Sequence, residues 1–235
     1  MNILIAEFLG TLLLVLLGNG SVANVLFKGS KGIGGGWIVI SFAWGFAVTV
    51  GVYVCGWVSG GHINPAVTIS MAVIGKTAWN LVPYYLVGQF VGAYVGAMLV
   101  YVCYYCHYQA EENVDYKRLS FCTYPAIVKL PINFLTEVIA TFVLIFGILG
   151  MINAHLNLPA DISPYMFGIL VTSIGLSLGG PTGYAINPAR DWGPRLAHST
   201  LFSFKNSQWD YAWIPMIGPL VGGVSAALLY KALFS

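Results

Sequence analysis

Along most of this chain the apolar pattern has no polar face. No Asp, Glu, Lys or Arg occurs between Glu7 and Lys28, Lys31 and Lys76, Lys76 and Glu111, Glu137 and Asp161, Asp161 and Arg190, or Asp210 and Lys231. A helix packed on a water-soluble core keeps a polar stripe outward, and these stretches keep none. A bilayer-crossing helix needs about 20 largely apolar residues. Six spans are therefore predicted near residues 3–27, 37–57, 81–107, 132–154, 163–180 and 211–233. The period-two alternation of a membrane barrel is missing, so the spans read as helices. The segment from Met1 through Glu7 to Leu17 has no basic start, which makes it a first span and not a cleaved leader.

The triplet Asn-Pro-Ala interrupts this pattern twice, at Asn64-Pro65-Ala66 and Asn187-Pro188-Ala189. Proline is favoured at the first helical position and asparagine just before it is a strong N-cap. Each triplet thus predicts a half-length helix, over 65–74 and 188–198, that begins where the bilayer has its middle. The free N–H groups and positive dipole ends would face inward. Two such starts meeting at the midplane make a polar point in a hydrophobic slab.

Composition supports the bilayer. The 235 residues are 58% hydrophobic and 8% charged, with mean hydropathy +0.80, against roughly 25% charged in a soluble domain. The net charge of +2 leaves no basic patch for nucleic acid. Cys55, Cys103, Cys106 and Cys122 form no extracellular disulfide pattern. Cys103-Tyr-Tyr-Cys106-His107 has haem-attachment spacing, but it ends an apolar helix with no soluble domain to enclose a haem. Asn19-Gly20-Ser21 fits a glycosylation site but falls inside the first span. No cofactor and no metal is expected, since His62 has no companion ligand cluster.

The chain reads as one membrane domain made of two repeats, 1–107 and 132–235, joined by the polar connector 108–131. Ala6-Glu7-Phe8-Leu9-Gly10-Thr11 is matched by Thr136-Glu137-Val138-Ile139-Ala140-Thr141. Gly88 and Gly92 are matched by Gly218 and Gly222, and Gly88, Gly92 and Gly96 allow close helix crossing. The glutamates lie 137 − 7 = 130 positions apart and the asparagines 187 − 64 = 123. Three spans per half is an odd number, so the second half must be inverted in the membrane. Inverted repeats with broken helices at matching places point to a substrate path between them.

Paired Asn-Pro-Ala boxes, a glutamate opening each half, and Asn187-Pro188-Ala189-Arg190-Asp191 together resemble the aquaporin (major intrinsic protein) family over essentially the whole chain. The resemblance implies an all-α membrane fold of six helices plus two half-helices, assembled as a homotetramer with one pore per subunit. It places Asn64 and Asn187 in the pore as N–H donors. Carbonyls of Gly60, Gly61, His62, Ile63, Gly183, Tyr184, Ala185 and Ile186 are expected to line one wall, the two segments running extended. An amphipathic wall of this kind suits a polyol. Glu7 and Glu137, costly in a membrane unless paired, would support these loops from behind. His62 is read as another loop support.

By the same resemblance, selectivity falls on Trp44, Gly175, Tyr184 and Arg190. Glycine at 175 leaves room for a carbon chain where water-selective members carry histidine. Asp191 and Pro215 are marks of the aquaglyceroporin (glycerol facilitator) branch. Tyr184 stands where phenylalanine is common and Met216 where leucine is usual, changes that would favour small carbonyl compounds or neutral organic acids. Both termini would be cytoplasmic. Lys28, Lys31, Lys117, Arg118, Lys129, Arg195 and Lys205 would then lie outside and only Lys76 and Lys231 inside, against the positive-inside rule.

The expected function is passive passage of glycerol and similar neutral solutes with water, and exclusion of ions and protons. Dihydroxyacetone, urea and protonated lactic acid are further candidate solutes, and the surroundings would be the lipid of a bacterial cytoplasmic membrane. One arginine and two amides in the pore are no set of acids, bases and nucleophiles, so no enzyme is expected. Three rivals remain: a water-selective pore, an alternating-access transporter, and a non-conducting structural membrane protein.

Overall fold

A computed structural model describes residues 2–153, 159 and 161–234. The described residues form ten α-helices: α1 (Asn2–Leu26), α2 (Gly36–Ser59), α3 (Pro65–Val73), α4 (Val82–Cys103), α5 (Tyr105–Ala110), α6 (Val114–Leu119), α7 (Leu130–Met151), α8 (Ser163–Leu178), α9 (Pro188–Leu201) and α10 (Trp213–Phe234). All six expected spans appear, with the last expected residue of the fourth, 154, outside the described residues. Five are long and apolar enough to cross a bilayer. The sixth, α8, has 16 residues and is therefore about 24 Å long.

Both half-helices start at their triplets. Asn64 and Asn187 are extended (φ −159° and −152°), with Pro65 and Pro188 opening the helices. The Asn64 side chain accepts from Ala66 N, and that of Asn187 accepts from Ala189 N and Arg190 N. Asparagine thus satisfies N–H groups that a buried helix start would otherwise orphan. Helix α9, with 14 residues, outlasts the 9 of α3.

The connector is more ordered than its polarity suggested. Asn113 caps α6 by accepting from Asp115 N and Tyr116 N, and the segment then turns inward. Phe121, Cys122 and Thr123 are buried, and buried Asn19 of α1 donates to Phe121 O (3.0 Å).

Glycines set how the two halves close. A side chain at Gly88 would meet Leu4 O of α1 at 2.5 Å, and one at Gly218 would meet Phe134 O of α7 at 3.4 Å. Gly92 and Gly222 repeat this against Phe8 O and Val138 O. Each pair is related by the offset of the two glutamates. Between the halves, α2 crosses α8 where a Gly45 side chain would lie 2.6 Å from Gly168 O, and a Gly168 side chain 2.6 Å from Gly45 O. This crossing follows the offset of the two asparagines instead. The second repeat is therefore shorter before α8 and longer around α9, and the two offsets read in the sequence belong to one duplication.

Arg195 corrects the charge distribution drawn from the sequence. Its side chain is fully buried and Arg118 is 5% exposed, so neither acts as a free loop charge. Five lysines still face two, and the conflict with the positive-inside rule is reduced but persists.

Introducing a branched side chain at the α1–α4 crossing tests this packing. Gly92→Val is expected to destabilise the protein by about 3 kcal/mol or more, since the group opposite is backbone and cannot yield like a side chain. The check is the thermal unfolding midpoint in detergent, with Gly20→Val, at a glycine with open space around it, as the control expected to be mild.

Candidate pore and its constriction

Two loops, 60–64 and 183–187, meet between the half-helices. Each is held from behind by a fully buried carboxylate. Glu7 accepts from Ser59 Oγ (2.6 Å), His62 N (3.0 Å), Ile63 N (2.7 Å) and Gln89 Nε2 (2.7 Å). Glu137 accepts from Thr182 Oγ1 (2.7 Å), Ala185 N (3.0 Å) and Ile186 N (2.9 Å). Loop support, expected by resemblance, has this geometry. The match fails at one point: where α4 offers Gln89, α10 has Pro219, which has no donor.

The segments before the asparagines do not run extended, contrary to the sequence reading. Ile63 and Ile186 sit at φ 44° and 43°, Tyr184 at 36°, and Gly60, Gly61 and Gly183 at 83°, 65° and 82°. Fully extended chain points successive carbonyls to opposite sides; left-handed residues turn them to one side. A branched isoleucine in this region costs on the order of 1–3 kcal/mol and persists only where its surroundings impose it. Here the peptide groups on both sides of each isoleucine are held. Glu7 and Glu137 take the isoleucine N–H groups, while Asn187 Nδ2 donates to Ile63 O and Asn64 Nδ2 donates to Ile186 O, both at 2.8 Å. Each asparagine thus caps its own helix and ties down the opposite loop. One N–H of each amide is left for the lumen, and Ile63 and Ile186 offer carbonyls already engaged once.

His62 supports its loop, with Nδ1 3.1 Å from Thr68 Oγ1 and its ring stacked on Tyr85 at 4.5 Å. Tyr85 in turn donates to Ser59 O (2.5 Å). Ser59, Thr68, Tyr85, Gln89 and Thr182 were not singled out in the sequence; a search for polar residues at matched places in the two repeats would have found Ser59 and Thr182.

A cavity of ≈ 280 Å³ runs from Lys76 and Thr77, past Asn64 and Asn187, to Trp44, Tyr184 and Arg190. A second, of ≈ 480 Å³, lies against the connector, bordered by Arg118, Cys122, Thr123 and Tyr124. Trp44, Tyr184 and Arg190 border both. Three of the four residues expected to select solutes therefore stand between the two spaces. The Arg190 guanidinium lies 4.0 Å above the Trp44 ring, a cation–π contact. Trp44 itself presses against bare Gly18. Trp44 Nε1 and Arg190 NH1 are buried without hydrogen-bond partners.

Gly175, the fourth, borders neither cavity. A side chain there would meet Tyr184 Cζ at 2.9 Å and its hydroxyl at 3.0 Å. The room expected beside this glycine is filled by the tyrosine ring.

Asp191 and Pro215 lie outside the lumen. Asp191 accepts from Thr123 N (2.8 Å), Thr123 Oγ1 (2.7 Å) and Arg195 Nε (2.8 Å). Arg195 also donates to Ser207 O, Gln208 O and Thr123 O, so the pair fastens the connector to α9. Cys122 beside it is buried, which pushes its thiol up to about 11. Pro215 is buried in the first turn of α10, where proline is tolerated.

A family model described as "Major intrinsic protein" matches residues 1–230. The chain is 54% identical to the "Probable glycerol uptake facilitator protein" of Thermotoga maritima, over 100% of both chains. It is 39% identical to the "D/L-lactic acid transporter" of Lactiplantibacillus plantarum, over 98% of this chain and 97% of that one. The solved aquaglyceroporin of Plasmodium falciparum superposes with a TM-score of 0.91 at 30% identity, over 99% of this chain and 96% of that one.

Asp191→Asn is expected to cost about 3–5 kcal/mol, because buried Arg195 loses its counter-charge. Thermal unfolding in detergent measures it, and Asp191→Asn combined with Arg195→Met should cost less than the single change.

Proposed function

The chain belongs to the major intrinsic protein family, and on that premise we propose a multi-pass membrane channel that passes glycerol and other small neutral solutes, with water, through the lumen between Lys76 and the outer cavity. It is a passive channel and not an enzyme. The observation that carries the reading is the constriction itself: Trp44, Tyr184 and Arg190 stand between two cavities, directly beyond loops whose asparagines are tied to each other's backbone.

Chemistry at the constriction suits a polyol. The Trp44 and Tyr184 rings offer apolar surface to carbon, while Arg190 and the two asparagine amides offer N–H donors to hydroxyl oxygens. Buried polar groups without partners favour a solute that can pair with them. Cations meet Arg190 and the positive ends of α3 and α9, whose first turns face the lumen. The Tyr184 hydroxyl, with relatives named for glycerol and for lactic acid, supports adding dihydroxyacetone, urea and protonated lactic acid to the set. Family likeness supports a homotetramer in a bacterial cytoplasmic membrane.

Stopped-flow light scattering on vesicles holding the purified protein tests this. Glycerol flux is expected to rise well above that of protein-free vesicles, as is water flux. A rise in water flux alone would reject the glycerol reading in favour of a water-selective pore. Accumulation against a solute gradient when a pH gradient is imposed would instead show an alternating-access transporter, and no flux of any kind a structural protein.

Gly175→His in the same assay should lower glycerol flux about tenfold more than water flux, the equivalent of ~1.4 kcal/mol of added barrier. The imidazole would displace Tyr184 toward the lumen. Equal losses for both solutes would reject this placement of residue 175.

A further inference from the structure

We propose that Trp37, Ser41 and Gly179, none of which belongs to the constriction, fix its aperture by holding the Tyr184 ring in a slot beside α8. Tyr184 is the one wall of the constriction carried on a strained non-glycine backbone position, at φ 36°. The residue is 97% buried, and of the groups around it Trp37 borders only the second cavity while Ser41 and Gly179 border neither.

Three observations define the slot. A side chain at Gly179 would begin 2.6 Å from Tyr184 Cδ1 and 2.7 Å from Trp37 Cζ2, so the bare backbone at 179 is what lets the two rings come together. The Trp37 and Tyr184 rings meet edge to face, with centroids 5.7 Å apart and planes at 75°. Trp37 is itself anchored, since its Nε1 donates to Gly175 O at 2.7 Å. At the far end, Ser41 Oγ and the Tyr184 hydroxyl both come within 3.0 Å of the point where a Gly175 side chain would start. Both hydroxyls are buried.

Trp44 and Arg190 have no comparable freedom. Trp44 is pressed against α1 at Gly18 and covered by the Arg190 guanidinium. Arg190 sits in the first turn of α9, its N–H fixed by Asn187. The gap between these two and Tyr184 is therefore set chiefly by where the tyrosine ring rests, and the slot decides that. Trp37, Ser41 and Gly179 are positioning residues that act through Tyr184.

This proposal rests on the conducting reading above, and the two fail separately. Wild-type vesicles against protein-free vesicles test conduction. The slot is tested by Gly179→Ala and Trp37→Ala, each in the wild-type chain and in a Tyr184→Gly background, with water, glycerol and erythritol fluxes as the readout. Gly179→Ala should push the ring lumenward by overpacking the slot and lower the glycerol-to-water ratio about tenfold. Trp37→Ala should release the ring and raise the erythritol-to-glycerol ratio about threefold or more.

In the Tyr184→Gly background both changes should leave the ratios of that background unaltered. Persistence of either effect without the ring overturns the proposal, and so do unchanged ratios with the ring present. If Gly179→Ala does not assemble, Trp37→Ala alone tests the slot by the same two criteria. Ratios are compared at equal amounts of folded protein in the vesicles, so that unchanged ratios count against the slot and not against folding.

Discussion

Two buried carboxylates hold this protein's pore in shape. Glu7 and Glu137 sit on α1 and α7 with no exposure, and each gathers the N–H groups of two consecutive loop residues. A carboxylate in hydrocarbon is costly unless its lone pairs are filled, and the loop fills them. The loop in turn cannot keep a left-handed isoleucine without a partner that fixes its peptide. Each feature is unfavourable alone, and each removes the other's cost.

The asparagines complete the arrangement across the duplication. Asn64 bonds to the carbonyl before Asn187, and Asn187 to the carbonyl before Asn64. Neither repeat can hold its loop by itself, since half of the restraint comes from the other. The Asn-Pro-Ala triplet must therefore occur twice for a structural reason as well as a chemical one. An N-cap role alone would not require it, and a pore donor alone would not require the opposite loop to lie 2.8 Å away.

What could be read from the sequence was whatever periodicity and duplication express. The grouping of Trp44, Tyr184 and Arg190 came only from the family resemblance, whereas the spans, both half-helix starts and the paired glutamates were legible in this way. Single dihedral angles were not: Ile63 at φ 44° is imposed by Glu7 and Asn187, neither of them near it in helical register. The burial of Arg195 was hidden because its acceptors at Thr123, Ser207 and Gln208 are far along the chain. Gly175 was read as open space because a sequence shows a missing side chain and not the ring that fills the gap. The connector looked like loop throughout, since α6 has 6 residues and an apolar stripe too short to register.

The charge at Arg190 depends on the same fastening of α9 to the connector. Arg190 is followed at once by a carboxylate, and an arginine paired with its neighbour would present little positive charge to the lumen. Arg195 prevents that pairing. One turn further along α9, it takes both oxygens of Asp191 and is held by three backbone carbonyls from the connector and the segment after α9. Among the described residues the ion pairs are Arg195 with Asp191 and Arg118 with Asp115, and Arg190 is in neither. Its guanidinium lies instead on the face of Trp44, which offers a quadrupole and no countercharge. The buried pair at Asp191 thus fastens this wall and also leaves the Arg190 guanidinium outside the ion pair beside it. A neutral solute meets a donor there, and a cation meets a positive charge that no ion pair holds.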